Sequence, residues 1–348
     1  MMMKKRYFAA ALALVLLAQL FAGCSSKTPS LQQVTEPSTE SAVTQPLDLE
    51  AVQEYLALEE TIPSETSPLE PLPRIVERDG VTWRYNSRLR TVIFMGVDTR
   101  AGAEDKIGIG NNGRSDTLLL FVINPDTETI QLITISRDTI TKVDVYDKDR
   151  NYLFSGNMQI NMQYSFGDNA ARSCQLVKKK ISSLLYDLPI HYHCSMTMDG
   201  IVAAADLLGG IKLTLEEDWT DIDPSYTAGS TITMQGEQLE RFLRYRDTGV
   251  SGSNNVRMAR HAWFIRQMFA QLGKMGSTIV DLMMDKLSPY LETDMDADTL
   301  KQLATYKLSD EVLKLPGETV RGKAHDEYYI DEEACREMLL DVFYTPAD

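Results

Sequence analysis

Between Thr91 and Thr139 the chain interleaves runs of branched apolar side chains with acids and arginines at their ends. Val92–Val97, Leu118–Ile123 and Gln131–Ile135 are short apolar runs bounded by turn residues, the pattern of strands buried on both faces. The sequence N-P-D-T-E between the second and third predicts an antiparallel hairpin. In such a hairpin Asp116 opens one strand and Arg137 follows its partner, so both emerge at one end of the sheet. Asp98, Arg114 and Asp138 also fall at strand ends or in the joining loops. A cluster of that kind at a sheet edge suits a phosphate or metal site.

The chain has 348 residues, 43% of them hydrophobic, enough for one large domain or two smaller ones. It begins with a basic M-M-M-K-K-R, an apolar segment Tyr7–Ala22 and F-A-G-C, the layout of an export signal. This resembles a bacterial lipoprotein signal in which Cys24 is lipidated after cleavage. An uncleaved membrane helix is the alternative, and the apolar run is short of the roughly 20 residues a spanning helix needs. Either reading puts residues 1–24 in the membrane or its signal and the body outside the cytoplasm. Residues 25–73 carry nine acids against Lys27 alone, about half of the net charge of −15, and are rich in Ser, Thr and Pro. They read as an acidic disordered tether that extends away from an anionic bilayer, with weak helical periodicity at Leu47–Glu60. The export signal and the lack of a basic excess disfavour a nucleic-acid partner, and none is expected. Cys174, Cys194 and Cys335 are too scattered for a disulfide scaffold or metal cluster and read as buried free thiols.

Residues 74–348 read as a single body. Arg74–Arg90 leads in, with Trp83 as a packing anchor. The Gly- and Asn-rich loop between Asp98 and Gly113 is a flap over a site or a variable surface loop, and no G-K-[S/T] makes it a Walker loop. After a polar segment Asp144–Asn157, the pattern predicts a helix over Asn169–Leu185, a strand His191–Met196, a helix Asp199–Leu208 and a strand Ile211–Leu215. His191 and His193 share a strand face beside Cys194, but no fourth ligand is found and they read as ordinary strand residues. A helix from Gln235 can deliver Arg244 and Arg246 to one ligand only if it finishes near Tyr245. The next, Asn254–Leu272, places Arg257, Arg260 and His261 on one face. Residues 273–348 read as a mainly helical extension with a short strand at Val312–Leu315.

Carboxylates facing several arginines make sense if the ligand is a phosphate or pyrophosphate carrying Mg²⁺. Magnesium takes one or two carboxylates plus phosphate oxygens and water, which Asp98 and Asp116 could supply. The planar fork of arginine matches phosphate oxygens, which fits Arg137, Arg244, Arg246 and Arg257. The competing reading is surface ion pairing, preferred for Arg241 or Arg260 taken alone.

The segments M-G-V-D, G-R-S-D-T, I-S-R-D-T, Q-I-N-M-Q-Y-S-F-G, D-L-L-G-G-I, M-Q-G-E-Q-L…R-Y-R and R-M-A-R, in order over about residues 91–272, resemble the successive motifs of the LytR-CpsA-Psr family. The resemblance implies a three-layer α/β/α sandwich with a central mixed sheet and an apolar pocket for a lipid chain. It also implies a membrane-attached, extracytoplasmic phosphotransferase. Such an enzyme moves a glycopolymer such as teichoic acid or capsule from a polyprenyl-pyrophosphate carrier to a peptidoglycan hydroxyl. Carried over by motif, Asp98 and Asp116 are the magnesium-associated carboxylates. Arg137, Arg244, Arg246 and Arg257, with Arg114, Asp138 and His261, surround the pyrophosphate, and Asp138 orients Arg137 or the acceptor. Catalysis would rest on Asp98, Arg137, Arg244 and Arg246.

Three positions depart from the family pattern. Ser136 replaces a common Pro, and D-x-x-R-x-x-R-Q becomes N-N-V-R-M-A-R-H, with Asn254 for the acid and His261 for Gln. Histidine can donate to phosphate and titrates near neutral pH, which predicts an altered pH dependence. The same changes motivate two alternatives: a non-catalytic binding or regulatory protein, and a lipid pyrophosphatase with water as acceptor.

Overall fold

The structure is a computed structural model that describes residues 70–99, 102, 109–110, 113–247, 249–250, 252–272, 274–275, 278–323 and 325–347. The export signal, Cys24, nearly all of the acidic tether and most of the loop after Asp98 lie outside the described residues. Among those described, no helix is long and apolar enough to cross a membrane.

The chain opens with β1 (Ile75–Arg78) and β2 (Val81–Tyr85), then lays down β3 (Arg90–Val97), β4 (Ser115–Asn124) and β5 (Thr129–Ile135). A second hairpin, β6 (Ile140–Tyr146) and β7 (Tyr152–Gln159), runs into a 3-10 turn at Ile160–Phe166 and helix α1 (Ala170–Leu184). Next come β8 (Tyr192–Thr197), α2 (Met198–Leu207), β9 (Ile211–Thr214), β10 (Thr231–Met234), α3 (Gly236–Arg244) and α4 (Ser253–Leu272). The remainder holds α5 (Thr278–Leu287), β11 (Leu291–Thr293), α6 (Ala297–Leu303), β12 (Lys307–Lys314), β13 (Gly317–Arg321), β14 (Asp326–Ile330), α7 (Glu332–Phe343) and β15 (Tyr344–Pro346).

Six strands form the central sheet in the order β11-β8-β3-β4-β5-β12. The pairs β8·β3 and β5·β12 are parallel and the others antiparallel, so the sheet is mixed. Alternate residues of the same strands feed two separate cores, as a period of two requires. Val92, Phe94, Leu119 and Phe121 pack with Ile201, Phe264, Ile265 and Met283 from α2, α4 and α5. Ile93, Met95, Leu118 and Leu120 pack with Val177 and Ile181 of α1 and Leu339 and Phe343 of α7. Helices on both faces of one sheet make the three-layer α/β/α sandwich expected from the sequence. Trp83 packs against the second core, and Cys174, Cys194 and Cys335 are buried free thiols.

Three elements differ from the reading of the sequence. The polar stretch Asp144–Asn157 lies within the β6–β7 hairpin, whose inner face buries Val143, Val145 and Met158 against Met162, Phe166 and Leu176. Its polar residues are the outer face of a ribbon covered on one side only. The strand at Ile211 stays out of the central sheet and pairs with β10. Residues beyond 272 are no helical appendage: they supply both edge strands, β11 and β12, and β15 ties the chain's end to β2. Without them the long central strands β8 and β5 would themselves be the edges of the sheet.

Candidate active site

The β4–β5 hairpin does what its turn sequence requires. Leu118 pairs with Ile135, and continuing that register brings Asp116 opposite Arg137. On its other side β4 is bulged: Thr117 pairs with Gly96 and Ser115 with Val97, so Asp116 is the extra residue. A bulge re-aims the side chain it frees. Gly96 permits the close approach, since a Cβ there would lie 2.9 Å from Cβ of Thr117.

Asp116 accepts from Arg137 Nη1 at 2.5 Å through Oδ1 and meets Arg257 Nη2 at 3.3 Å through Oδ2. Asn161 Nδ2 donates to Oδ1 at 3.3 Å. Burial pushes the Asp116 carboxyl up, but the nearby charges of Arg137 and Arg257 outweigh it and the group falls to about 2. Arg137 also approaches Asp138, with Nε 3.3 Å from Oδ1. Asp138 is buried and receives two further donors, Gln159 Nε2 at 2.8 Å and Asn254 Nδ2 at 2.6 Å.

Helix α3 ends at Arg244, with Tyr245 in an extended conformation, so the helix stops where a shared ligand for Arg244 and Arg246 requires. Arg244 sends Nη1 to Asp98 Oδ1 and Nε to Glu240 Oε1, each at 2.8 Å. Arg246 is exposed, and no carboxylate among the described residues pairs with it. Its charge is felt by Arg257, whose guanidinium is shifted down by burial first and then by Arg137 and Arg246. Arg114 contributes its backbone carbonyl, which accepts from the N–H groups of Asp98 and Asp116 at 3.1 and 3.0 Å. The acid–arginine contacts thus form two groups at one end of the sheet, Asp116 and Asp138 with Arg137 and Arg257, and Asp98 with Arg244, and the Arg114 carbonyl ties the backbones of Asp98 and Asp116 together.

His261 does not join them. Its Nδ1 lies 2.6 Å from Thr117 Oγ1 and its Nε2 2.8 Å from the Leu243 carbonyl, both in the interior. Burial, then the charge of Arg257, lowers the imidazole to about 3. A neutral ring with Nε2–H donating to Leu243 and Nδ1 accepting from Thr117 satisfies both contacts, so no donor remains for a phosphate. The expectation of a phosphate-binding, neutrally titrating His261 is corrected: the ring is a packing element that joins β4 to the end of α3.

Arg260 is not a surface ion pair either. It is 3% exposed, lies 5.0 Å from the Trp219 ring and 5.3 Å from that of Phe242, and donates through Nη2 to the Tyr245 carbonyl. Burial, then Arg257, brings it down to about 10. Arg241 does pair, with Asp223 at 3.2 Å. His193 lies with Nδ1 3.0 Å from Asp294 Oδ2, while His191 Nδ1 accepts from the Thr91 amide at 3.1 Å.

Gln159 and Asn161 belong to the site although the sequence alone did not single them out from their motif. The signal was their alternation with apolar residues in Q-I-N-M-Q: two amides spaced by two, both buried, one on Asp138 and the other on Asp116. The β13–β14 hairpin is a further wall of the site that sequence reasoning missed. Asp326 accepts from Gln159 Nε2 through its carbonyl at 3.0 Å and from the Gly252 amide through Oδ2 at 2.8 Å, and Tyr328 N–H donates to the Asp138 carbonyl at 2.9 Å.

The model of the LytR_cpsA_psr family matches residues 65–340. The chain belongs to this LytR-CpsA-Psr family. Among curated relatives it is 26% identical over 254 residues to the polyisoprenyl-teichoic acid–peptidoglycan teichoic acid transferase TagU of Halalkalibacterium halodurans, covering 71% of this chain and 76% of the relative. It is 27% identical over 259 residues to the TagU of Oceanobacillus iheyensis, covering 70% and 72%. Among solved structures it resembles that of Bacillus subtilis TagU, with a TM-score of 0.52 at 21% identity over 75% of this chain and all of that one. It also resembles TagT bound to LI-WTA, with a TM-score of 0.56 at 17% identity over 79% and 97%. These structural likenesses establish a shared LytR-CpsA-Psr fold.

Proposed function

We propose that the chain transfers a cell-wall glycopolymer from a polyprenyl-pyrophosphate carrier to a hydroxyl of peptidoglycan, as the names of its TagU relatives describe for teichoic acid. The observation that carries this reading is the convergence of Arg137, Arg244 and Arg257 on Asp98, Asp116 and Asp138 at one sheet end. Each arginine is held in place by an acid and retains further N–H groups for phosphate oxygens. The Arg257 Nε is buried without a partner among the described residues, a donor that a pyrophosphate oxygen would satisfy.

Asp98 and Asp116 fit Mg²⁺ by donor type, being hard oxygen ligands too few for an all-protein cage; the described residues hold no group of three or more acidic, His or Cys side chains that could take a metal. Beside them the Asn161 Oδ1 is a buried oxygen without a partner. Bound there, Mg²⁺ would neutralise charge on the phosphoryl group. The chain's own residues then hold the substrate in position. Arg137 and Arg257 grip one phosphate from the sheet side, while Arg244 and exposed Arg246 take the other from the end of α3. Phosphoryl transfer needs little beyond such positioning and charge stabilisation. The acceptor hydroxyl attacks the glycan-bearing phosphorus, its O–P bond forms as the bridging P–O bond to the lipid phosphate breaks, and the lipid monophosphate leaves carrying the hydroxyl proton.

The body acts outside the membrane, held there by lipidated Cys24 or by an uncleaved helix, with the acidic tether as spacer. Two alternative readings, binding without catalysis and hydrolysis by water, are motivated by Asn254 and His261. Both residues have their polar groups satisfied internally, which favours a competent site. Purified body, lipid-linked glycan, Mg²⁺ and peptidoglycan separate the three: polymer joined to wall supports transfer, phosphate released to water supports hydrolysis, and neither supports binding alone.

A further inference from the structure

The contacts around Asp138 and Asp116 close on themselves. Asp116 Oδ1 meets Arg137 Nη1, and Arg137 Nε meets Asp138 Oδ1. Asp138 Oδ2 accepts from Asn254 Nδ2 at 2.6 Å, Asn254 Oδ1 accepts from Arg257 Nη2 at 2.8 Å, and Arg257 Nη2 returns to Asp116 Oδ2 at 3.3 Å. Two acids, two arginines and one amide form a ring of zero formal charge. Asn254 is 2% exposed, so both of its partners are met inside the protein rather than in bulk solvent.

Position 254 is where the family pattern has an acid. A carboxylate there could accept from Arg257 but has no hydrogen for Asp138, and it would set two negative oxygens 2.6 Å apart in the interior. An amide has one acceptor and a donor pair, which is the polarity the ring demands at this point. We propose that Asn254 is a positioning residue of the phosphotransfer site: its amide closes the ring and so keeps Arg137 and Arg257 aimed at the pyrophosphate. The proposal rests on the transferase reading, because it assigns those arginines to the pyrophosphate.

Asn254→Asp restores the residue common in the family and yet disables the ring. The introduced acid faces Asp138 and Arg137 from the turn after β5, Asp116 from β4 and Arg257 from its own helix; His325, before β14, feels Asp138 and Arg137 as well. When protonated, this acid donates to Asp138 and accepts from Arg257 just as the amide does. When ionised it repels Asp138. Relative to wild type the variant is therefore expected to bind better on the acid side than on the basic side, where the introduced carboxylate opposes Asp138.

The test is binding of geranylgeranyl pyrophosphate with Mg²⁺, measured by calorimetry at pH 5.0 and pH 8.0 for wild type, Asn254→Asp and Asn254→Ala, with thermal unfolding of each. The expected result is Asn254→Asp within about threefold of wild type at pH 5.0 and at least about tenfold weaker at pH 8.0. Asn254→Ala is weaker at both. Asn254→Asp matching wild type at both values, weaker by one factor at both, or tighter at pH 8.0 overturns the proposal and leaves the transferase reading standing. A folded wild type that does not bind the probe at either pH overturns both.

Discussion

Arg137 Nη1 lies 2.5 Å from Asp116 Oδ1, between residues set opposite one another by the register of a seven-residue strand and its ten-residue partner. The pair is nearly buried, with side-chain exposures of 15% and 16%, and this governs how the body responds to acid.

Asp116 titrates at about 2 in the fold and near the ordinary carboxylate value when unfolded. Its contribution to stability is therefore complete above pH ~4 and is lost as pH falls toward 2, a loss of about 2 kcal/mol. Urea denaturation from pH 4.5 to pH 2 should show wild type losing about that much more than Asp116→Asn, whose amide does not titrate.

His261 works in a different window. It is neutral in the fold down to about 3, whereas the unfolded chain takes up a proton near 6.5. Stability from this group is complete above pH ~6.5 and declines as pH falls toward 3, by about 1.4 kcal/mol per pH unit. His261→Gln, whose amide can donate to the Leu243 carbonyl and accept from Thr117, should remove that slope between pH 6 and pH 4. Transfer at neutral pH should stay within about threefold of wild type, since no ionised His261 takes part. Denaturation midpoints and initial rates over this range check both statements.

Arg260 is a buried cation whose partners are aromatic rings and a carbonyl rather than an acid. Arg260→Lys keeps the charge but loses the flat guanidinium that lies over Trp219 and Phe242. It should destabilise the body by about 1–2 kcal/mol in urea, although a surface Arg-to-Lys exchange would change little.

The parts of the site that lie on one hairpin could be read from the sequence. The turn N-P-D-T-E sets a register, and register alone brings Asp116 to Arg137. The end of α3 was legible as a condition on Arg244 and Arg246. What could not be read depends on contacts between segments far apart in the chain. Helical spacing puts His261 on one face with Arg257, but only the packing of α4 over β4 buries its ring between Thr117 and Leu243. Asn254 looked like a loss of charge until Asp138, 116 residues earlier, supplied the carboxylate that its amide serves. The edge strand β12 is legible only at Val312–Leu315, because Leu308 is the one apolar residue in its first half.

The measurement closest to the central claim is reconstituted transfer of polymer from a polyprenyl-pyrophosphate carrier to peptidoglycan. Wild type would be compared with Asp98→Asn and Arg137→Lys, each with Mg²⁺ and with chelator. Conjugate is expected from wild type only with Mg²⁺, with a loss of about 100-fold or more in both variants at unfolding midpoints close to wild type. No conjugate from folded wild type, or wild-type rates from folded Asp98→Asn and Arg137→Lys, would contradict the transferase reading.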